Sequence, residues 1–145
     1  MDKDELLGYS KSEFEKLKGL AETLSSLCPD GKTSYRLEET AATGAFLFSI
    51  YSGIERVLEQ LLLFDALHLK DTEERHPEIL KKASELGIVP PELHSVLAGY
   101  LAFREFFSNS YITELNSQKL CGLARACGET VARLEKEVFD YINTI

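Results

Sequence analysis

The chain has 145 residues, of which 44% are hydrophobic, and its formal net charge is −8. The hydrophobic fraction excludes a disordered chain, and the length predicts one domain, residues 1–145, with a core of its own. The acidic balance excludes a broad nucleic-acid surface, so we expect no DNA partner. A small local basic pocket is compatible with this charge.

Membrane contact and secretion are not indicated by the sequence. No segment approaches the roughly 20 consecutive apolar residues that span a bilayer. The N-terminus, Met1–Glu5, is acidic where a secretory signal is basic. We therefore expect a cytoplasmic protein with no membrane partner.

The three cysteines predict reduced, mostly buried thiols. Cys121 and Cys127 are six residues apart, so on a helix they point to different faces and cannot pair with each other. Cys28 lies beside a Pro-Asp-Gly turn. An odd number of cysteines without metal-ligand spacing favours free thiols and argues against a zinc site.

The first predicted helix carries one apolar face and ends at the turn Cys28–Gly31. Its start is left open, because capping boxes at Ser10 with Glu13 and at Ser12 with Glu15 both fit. Its inward positions follow a 3-4-3 spacing: Leu7, Ser10, Phe14, Leu17, Leu20 or Ala21, Leu24 and Leu27.

The second predicted helix runs from about Leu37 to Leu69 without a proline and carries a broad apolar stripe. Gly44 and Gly53 weaken it locally, and each is expected to mark a close helix crossing. The segment Leu61–Phe64 is apolar on all sides. This pattern predicts burial on two sides, one of them against a second subunit.

Three further helices follow. Pro77 is expected as the first residue of a short third helix, with Gly87 as its C-terminal stop. Pro90-Pro91 opens the fourth helix, and the fifth begins at about Ser117. The predicted fold is an all-α antiparallel bundle of four long helices and one short helix.

The sequence lacks most of the short motifs that mark catalytic or cofactor-binding sites. It contains no GxxxxGK, GxGxxG, nucleophile elbow or HExxH motif, so we expect no cofactor and no metal. The scattered histidines, His68, His76 and His94, are interpreted as surface or helix-end residues. Glu55 and Glu59, one turn apart on the second helix, are interpreted as part of a solvated face.

Arg104 is the exception, because a charged residue between Phe103 and Phe106-Phe107 is costly to bury unless it is paired or functional. Asn109 follows five residues later and shares its side of the helix only if the helix loosens at Ser108–Ser110. A purely structural interpretation has Arg104 paired with a carboxylate, Asn109 capping the helix and Tyr111 packed beneath it.

The run Tyr100–Lys119, YLAFREFFSNSYITELNSQK, resembles the motif of HEPN-domain ribonuclease toxins of the HepT type. That motif is an arginine, four variable residues, a histidine, one residue and a tyrosine. Arg104 and Tyr111 stand in matching positions, and Asn109 stands where the motif has histidine. The resemblance extends from about Tyr35 to the C-terminus and includes the start of the short helix at Arg75–Leu80.

This resemblance implies a HEPN-like bundle that forms a homodimer, with two copies of the motif facing each other across a cleft. In active members the arginine and the histidine carry out metal-independent RNA cleavage. An arginine can bind a phosphate through two parallel hydrogen bonds and stabilise its developing charge. Asn109 cannot transfer a proton, so the resemblance predicts a weak or inactive nuclease.

Tyr111 matches the tyrosine that a partner nucleotidyltransferase antitoxin modifies with AMP. The leading hypothesis is therefore a HEPN ribonuclease toxin paired with such an antitoxin. Two alternatives remain open: a non-catalytic helical module that presents Tyr111 to a nucleotidyltransferase, and a helical scaffold without an active site.

Overall fold

The computed structural model describes residues 1–145 and contains no β-strand. Its elements are α1 (Lys3–Leu27), α2 (Leu37–Phe64), α3 (Arg75–Glu85), α4 (Pro91–Asn109), a 3-10 turn (Ile112–Glu114) and α5 (Ser117–Thr144). This confirms the prediction of an all-α bundle with four long helices and one short helix. None of the helices combines the length and the apolar character that a membrane crossing needs.

The start of α1 differs from both capping boxes considered for it. Asp2 is the N-cap, and its carboxylate accepts a hydrogen bond from the backbone N–H of Glu5 at 2.8 Å. Leu6 lies in the core, whereas Leu7, predicted to point inward, is 36% exposed. The inward stripe therefore begins one residue earlier, because Leu6 keeps the four-residue spacing to Ser10.

Helix α2 begins at Leu37, as predicted, but ends at Phe64 and does not continue to Leu69. The chain turns at Ala66, which has a left-handed φ of 59°. Leu61 and Leu62 are fully buried within the chain, and Leu63 is left 46% exposed.

Gly44 and Gly53 mark close crossings of α2, as predicted. A Cβ atom added to Gly44 would lie 2.6 Å from the ring of Phe107 on α4. One added to Gly53 would lie 2.6 Å from Leu17 on α1. The first crossing holds α4 against α2 near the end of α4, where the predicted site lies.

The remaining helix ends follow local signals. Helix α3 begins at Arg75, two residues before the predicted Pro77, and Gly87 ends it with a φ of 78°. Helix α4 begins at Pro91. Helix α5 begins at Ser117, because the side chain of Asn116 accepts hydrogen bonds from the backbone N–H groups of Gln118 and Lys119, each at 3.1 Å.

The prediction of three reduced thiols is wrong for two of them. A disulfide joins Cys28, at the end of α1, to Cys121, near the start of α5, with Cα atoms 5.5 Å apart. The two residues are 93 positions apart in sequence and meet because α1 packs along α5. Cys127 is free and buried, and burial raises the pKa of its thiol to about 12.

Candidate functional site

A cleft of about 750 Å³ lies between the start of α3 and the end of α4. It contains two of the residues predicted for the site, Arg104 and Asn109, together with His76, which was not assigned to it. The residues lining the cleft are Glu73, Glu74, His76, Pro77, Arg104, Glu105, Ser108 and Asn109.

Arg104 is held from two sides, and 15% of its side chain is exposed. Its guanidinium carbon lies 5.0 Å from the centroid of the Phe48 ring, within the range of a cation–π contact. Its Nε lies 3.8 Å from Oε1 of Glu55 and, although buried, has no hydrogen-bond partner. These two contacts hold the guanidinium in place at the cleft.

The interpretation of Glu55 as part of a solvated face is wrong, because the residue is only 4% exposed. Its position on α2 turns the carboxyl group toward α3 and α4. Burial raises the pKa of this carboxyl group, while His76 and Arg104 act in the opposite direction. Its second oxygen, Oε2, has no hydrogen-bond partner.

His76 lies at the start of α3, where its Nδ1 is 2.8 Å from Oε1 of Glu55. Helix α3 is held in this position by an ion pair between Arg75 and Glu59, one turn further along α2. The His76 side chain is 24% exposed. The sequence did not point to His76 as a site residue because its partner, Glu55, lies 21 positions away, although the resemblance included the start of this short helix.

Asn109 is the last residue of α4, and its side-chain amide donates to the carbonyl of Glu105 at 2.8 Å. The structural interpretation had Asn109 capping the helix, but the C-cap is Ser110, and Asn109 bonds back to the last turn of α4. The residue nevertheless lines the same cleft as Arg104, and α4 stays α-helical to its end. The expected loosening of the helix is thus not needed to place both residues in one cleft.

Tyr111 follows the end of α4 and is 80% exposed, so the interpretation of a buried tyrosine is wrong. Its backbone N–H donates to the carboxylate of Glu114 at 3.3 Å, which anchors the 3-10 turn. The phenol ring extends into solvent and does not line the cleft. Its hydroxyl is therefore accessible to a second protein.

The rim of the cleft is acidic. Glu73, Glu74 and Glu105 line it with exposed carboxylates, and Arg104 is the only arginine or lysine there. An extended RNA strand would meet repulsion at this rim, consistent with the net charge of −8. Arg104 itself offers a positive charge to a phosphate group in the cleft.

Comparison with known proteins supports a family assignment and a fold. Residues 42–145 match the family model described as HepT-like protein. The fold is similar to that of YutE, a cytosolic protein of unknown function from Bacillus subtilis, with a TM-score of 0.65 and 19% sequence identity. The similarity covers 92% of this chain and 91% of that one. No curated protein is significantly similar to the chain in sequence.

Proposed function

The chain belongs to the HepT-like family, and from this premise we propose that it is the HEPN toxin of a toxin–antitoxin pair. The proposed reaction is metal-independent cleavage of RNA. The observation that carries the proposal is the placement of Arg104 and Asn109, two positions of the family motif, in one open cleft. The test is RNA cleavage by the purified chain before and after these two residues are changed.

Within this proposal, Arg104 binds the scissile phosphate. Its guanidinium is planar and always charged, and the cation–π contact with Phe48 and the nearby carboxylate of Glu55 hold it in place before the substrate arrives. Asn109 can donate a hydrogen bond to a phosphate oxygen but cannot take up or release a proton near neutral pH. The motif residues alone therefore make a weak nuclease.

We infer a homodimer and a nucleotidyltransferase antitoxin as the protein partners. Large apolar side chains close to the motif are exposed in the single chain: Phe106 is 48% exposed and Ile112 is 46% exposed. Burying such side chains against a second copy is favourable by about 25 cal/mol per Å² of apolar surface. Tyr111 is the proposed contact with the nucleotidyltransferase.

The exposure of Tyr111 favours the second candidate function, a non-catalytic module modified by the nucleotidyltransferase. The phenol oxygen would lose its proton to solvent and attack the α-phosphate of ATP, forming a Tyr111–AMP bond and releasing pyrophosphate. The bound phosphate would add negative charge near the cleft and oppose binding of RNA. This modification is compatible with the nuclease function as its means of inhibition.

Co-expression with the nucleotidyltransferase is expected to add the mass of one or more AMP groups, all on Tyr111. Tyr111→Phe should abolish the added mass because the attacking oxygen is removed. Tyr35→Phe is the matched control and should be modified as fully as the unchanged chain. Mass spectrometry of intact protein and of its peptides measures both, and modification at another residue would contradict the assignment.

The acidic rim is expected to weaken RNA binding measurably. Glu73→Gln combined with Glu105→Gln should lower KM for RNA by roughly 2- to 30-fold, because each exposed like charge costs about 0.2–1 kcal/mol. Since salt screens this repulsion, kcat/KM should rise from low to moderate ionic strength. Glu92→Gln, near the opposite end of α4, is the control and should leave KM unchanged. An unchanged KM in the double variant would show that RNA does not approach over this rim.

A further inference from the structure

We infer that His76, oriented by Glu55, takes the proton from the RNA 2′-hydroxyl and so supplies the acid–base function that Asn109 cannot. This inference rests on the ribonuclease function proposed above. It assigns a catalytic role to a residue that lies outside the motif, on a different helix.

The geometry places an imidazole beside the phosphate-binding arginine. His76 Nδ1 lies 2.8 Å and Arg104 Nε lies 3.8 Å from the same oxygen, Oε1 of Glu55. Both side chains also line the same open cleft. A phosphate bound by the guanidinium of Arg104 would therefore have the imidazole ring of His76 within reach of its ribose.

Glu55 determines which nitrogen of His76 is free to react. His76 and Arg104 both favour the ionised form of Glu55 against the effect of burial. An ionised carboxylate can only accept hydrogen bonds, so with Glu55 ionised Nδ1–H donates to it and Nε2 keeps its lone pair. Glu55 is 4% exposed and does not reach the cleft surface, so it acts as a positioning residue. An imidazole held in this way presents Nε2 as a proton acceptor.

Incomplete pairing distinguishes this cluster from an ordinary structural ion-pair network. Oε2 of Glu55 and Nε of Arg104 are both buried without a hydrogen-bond partner. Buried polar atoms are normally paired, and each exception calls for an explanation. The ion pair between Arg75 and Glu59 already attaches α3 to α2 one turn away, so attachment of α3 does not depend on His76.

The proposed step is balanced without a metal or a cofactor. Nε2 of His76 takes the 2′-hydroxyl proton while the 2′ oxygen forms a bond to phosphorus. The bond between phosphorus and the 5′ oxygen breaks, and the leaving oxygen takes up a proton from water. The imidazolium returns its proton to solvent, and the products are a 2′,3′-cyclic phosphate end and a 5′-hydroxyl end.

The first experiment measures cleavage of an RNA substrate by the full chain, with asparagine at position 109. His76→Ala is expected to lower the rate by about 10²–10⁴-fold, the usual contribution of a general base. Free imidazole should restore part of the activity of this variant, because the cleft is open to small molecules. His94→Ala, on α4 but outside the cleft, should leave the rate unchanged.

A second pair of variants separates catalysis from folding. His76→Gln can still donate to Glu55 and should stay folded while losing activity, as monitored by its unfolding midpoint. Glu55→Gln is expected to lower kcat far more than it changes KM, because Glu55 orients the imidazole and affects substrate binding only through its contact with Arg104. Loss of activity in His76→Ala with no response to imidazole, together with full activity in His76→Gln, would show a structural role and overturn the inference.

The remaining outcomes distinguish this inference from the proposed function. If the native chain is inactive but Asn109→His cleaves RNA, His76 is not a sufficient base and the inference fails while the ribonuclease function stands. The same conclusion follows if His76→Ala cleaves as fast as the native chain. If neither the native chain nor Asn109→His cleaves RNA, the ribonuclease function fails and the inference fails with it.

Discussion

Asn109→His is expected to raise the rate of RNA cleavage by about 10²–10⁴-fold, because it adds a group that can transfer protons near neutral pH. Position 109 lines the same cleft as Arg104, so an imidazole there would lie beside the bound phosphate. With His76 acting on the 2′-hydroxyl, the new imidazole would serve a different step and protonate the leaving 5′ oxygen. Initial rates on a defined RNA and growth inhibition in cells measure the effect.

Arg104→Ala in the Asn109→His background is expected to lower that rate by about 10²–10³-fold, because the developing charge on the phosphoryl oxygens loses its main hydrogen-bond donor. Arg104→Lys keeps the charge next to Glu55 but loses the planar two-point contact, so it should be folded and still strongly impaired. Arg133→Ala, an exposed arginine on α5, is the control and should be fully active.

Two results would count against the nuclease site. One is the absence of RNA cleavage both by the native chain and by the variant with histidine at position 109. The other is full activity of the Arg104→Lys variant, which would reduce the arginine to a nonspecific positive charge. Unfolding midpoints for each variant exclude loss of structure as the cause.

Reduction of the disulfide is expected to lower the free energy of unfolding by about 2–5 kcal/mol, because the bond closes a long loop and restricts the unfolded chain. Cys28 and Cys121 are 93 positions apart, so the loop includes α2, α3 and α4. Urea unfolding with and without dithiothreitol measures this difference. The double variant Cys28→Ser with Cys121→Ser should resemble the reduced chain and should not respond to dithiothreitol.

Cys127→Ala provides the control for this experiment. Cys127 is buried and unpaired, so the variant should keep the full response to dithiothreitol even if its own stability changes. An unfolding midpoint of the native chain that does not move under reducing conditions would show that Cys28 and Cys121 are not bonded in solution.

The sequence determined the fold class and most helix boundaries, since these depend on residues that are close together in the chain. Pro91 begins α4, Gly87 ends α3 and Asn116 caps α5, and each acts within one or two turns. Gly44 could be recognised as a close-contact position because a glycine inside an apolar stripe weakens a helix without an obvious local benefit.

Part of the candidate site could also be predicted from the sequence. Arg104 was conspicuous because a charge in an aromatic run is costly, and the spacing to Asn109 and Tyr111 gave the resemblance to the HEPN motif. The exposure of Tyr111 was not predictable, because it depends on where α4 ends relative to the 3-10 turn. Helical periodicity indicated only which face Tyr111 would occupy if the helix continued.

The packing of the helices determines which distant side chains meet. Glu55 and Glu59 lie one turn apart on α2 and have similar neighbours in the sequence. In the structure, however, α3 and α4 bury Glu55 between His76 and Arg104. In the same way, the packing of α1 along α5 turned two apparently free cysteines into a disulfide. Local patterns determine helices because the forces involved act over a few residues. Burial, pairing and the resulting pKa shift of Glu55 depend on contacts between helices, which the local pattern of the sequence does not record.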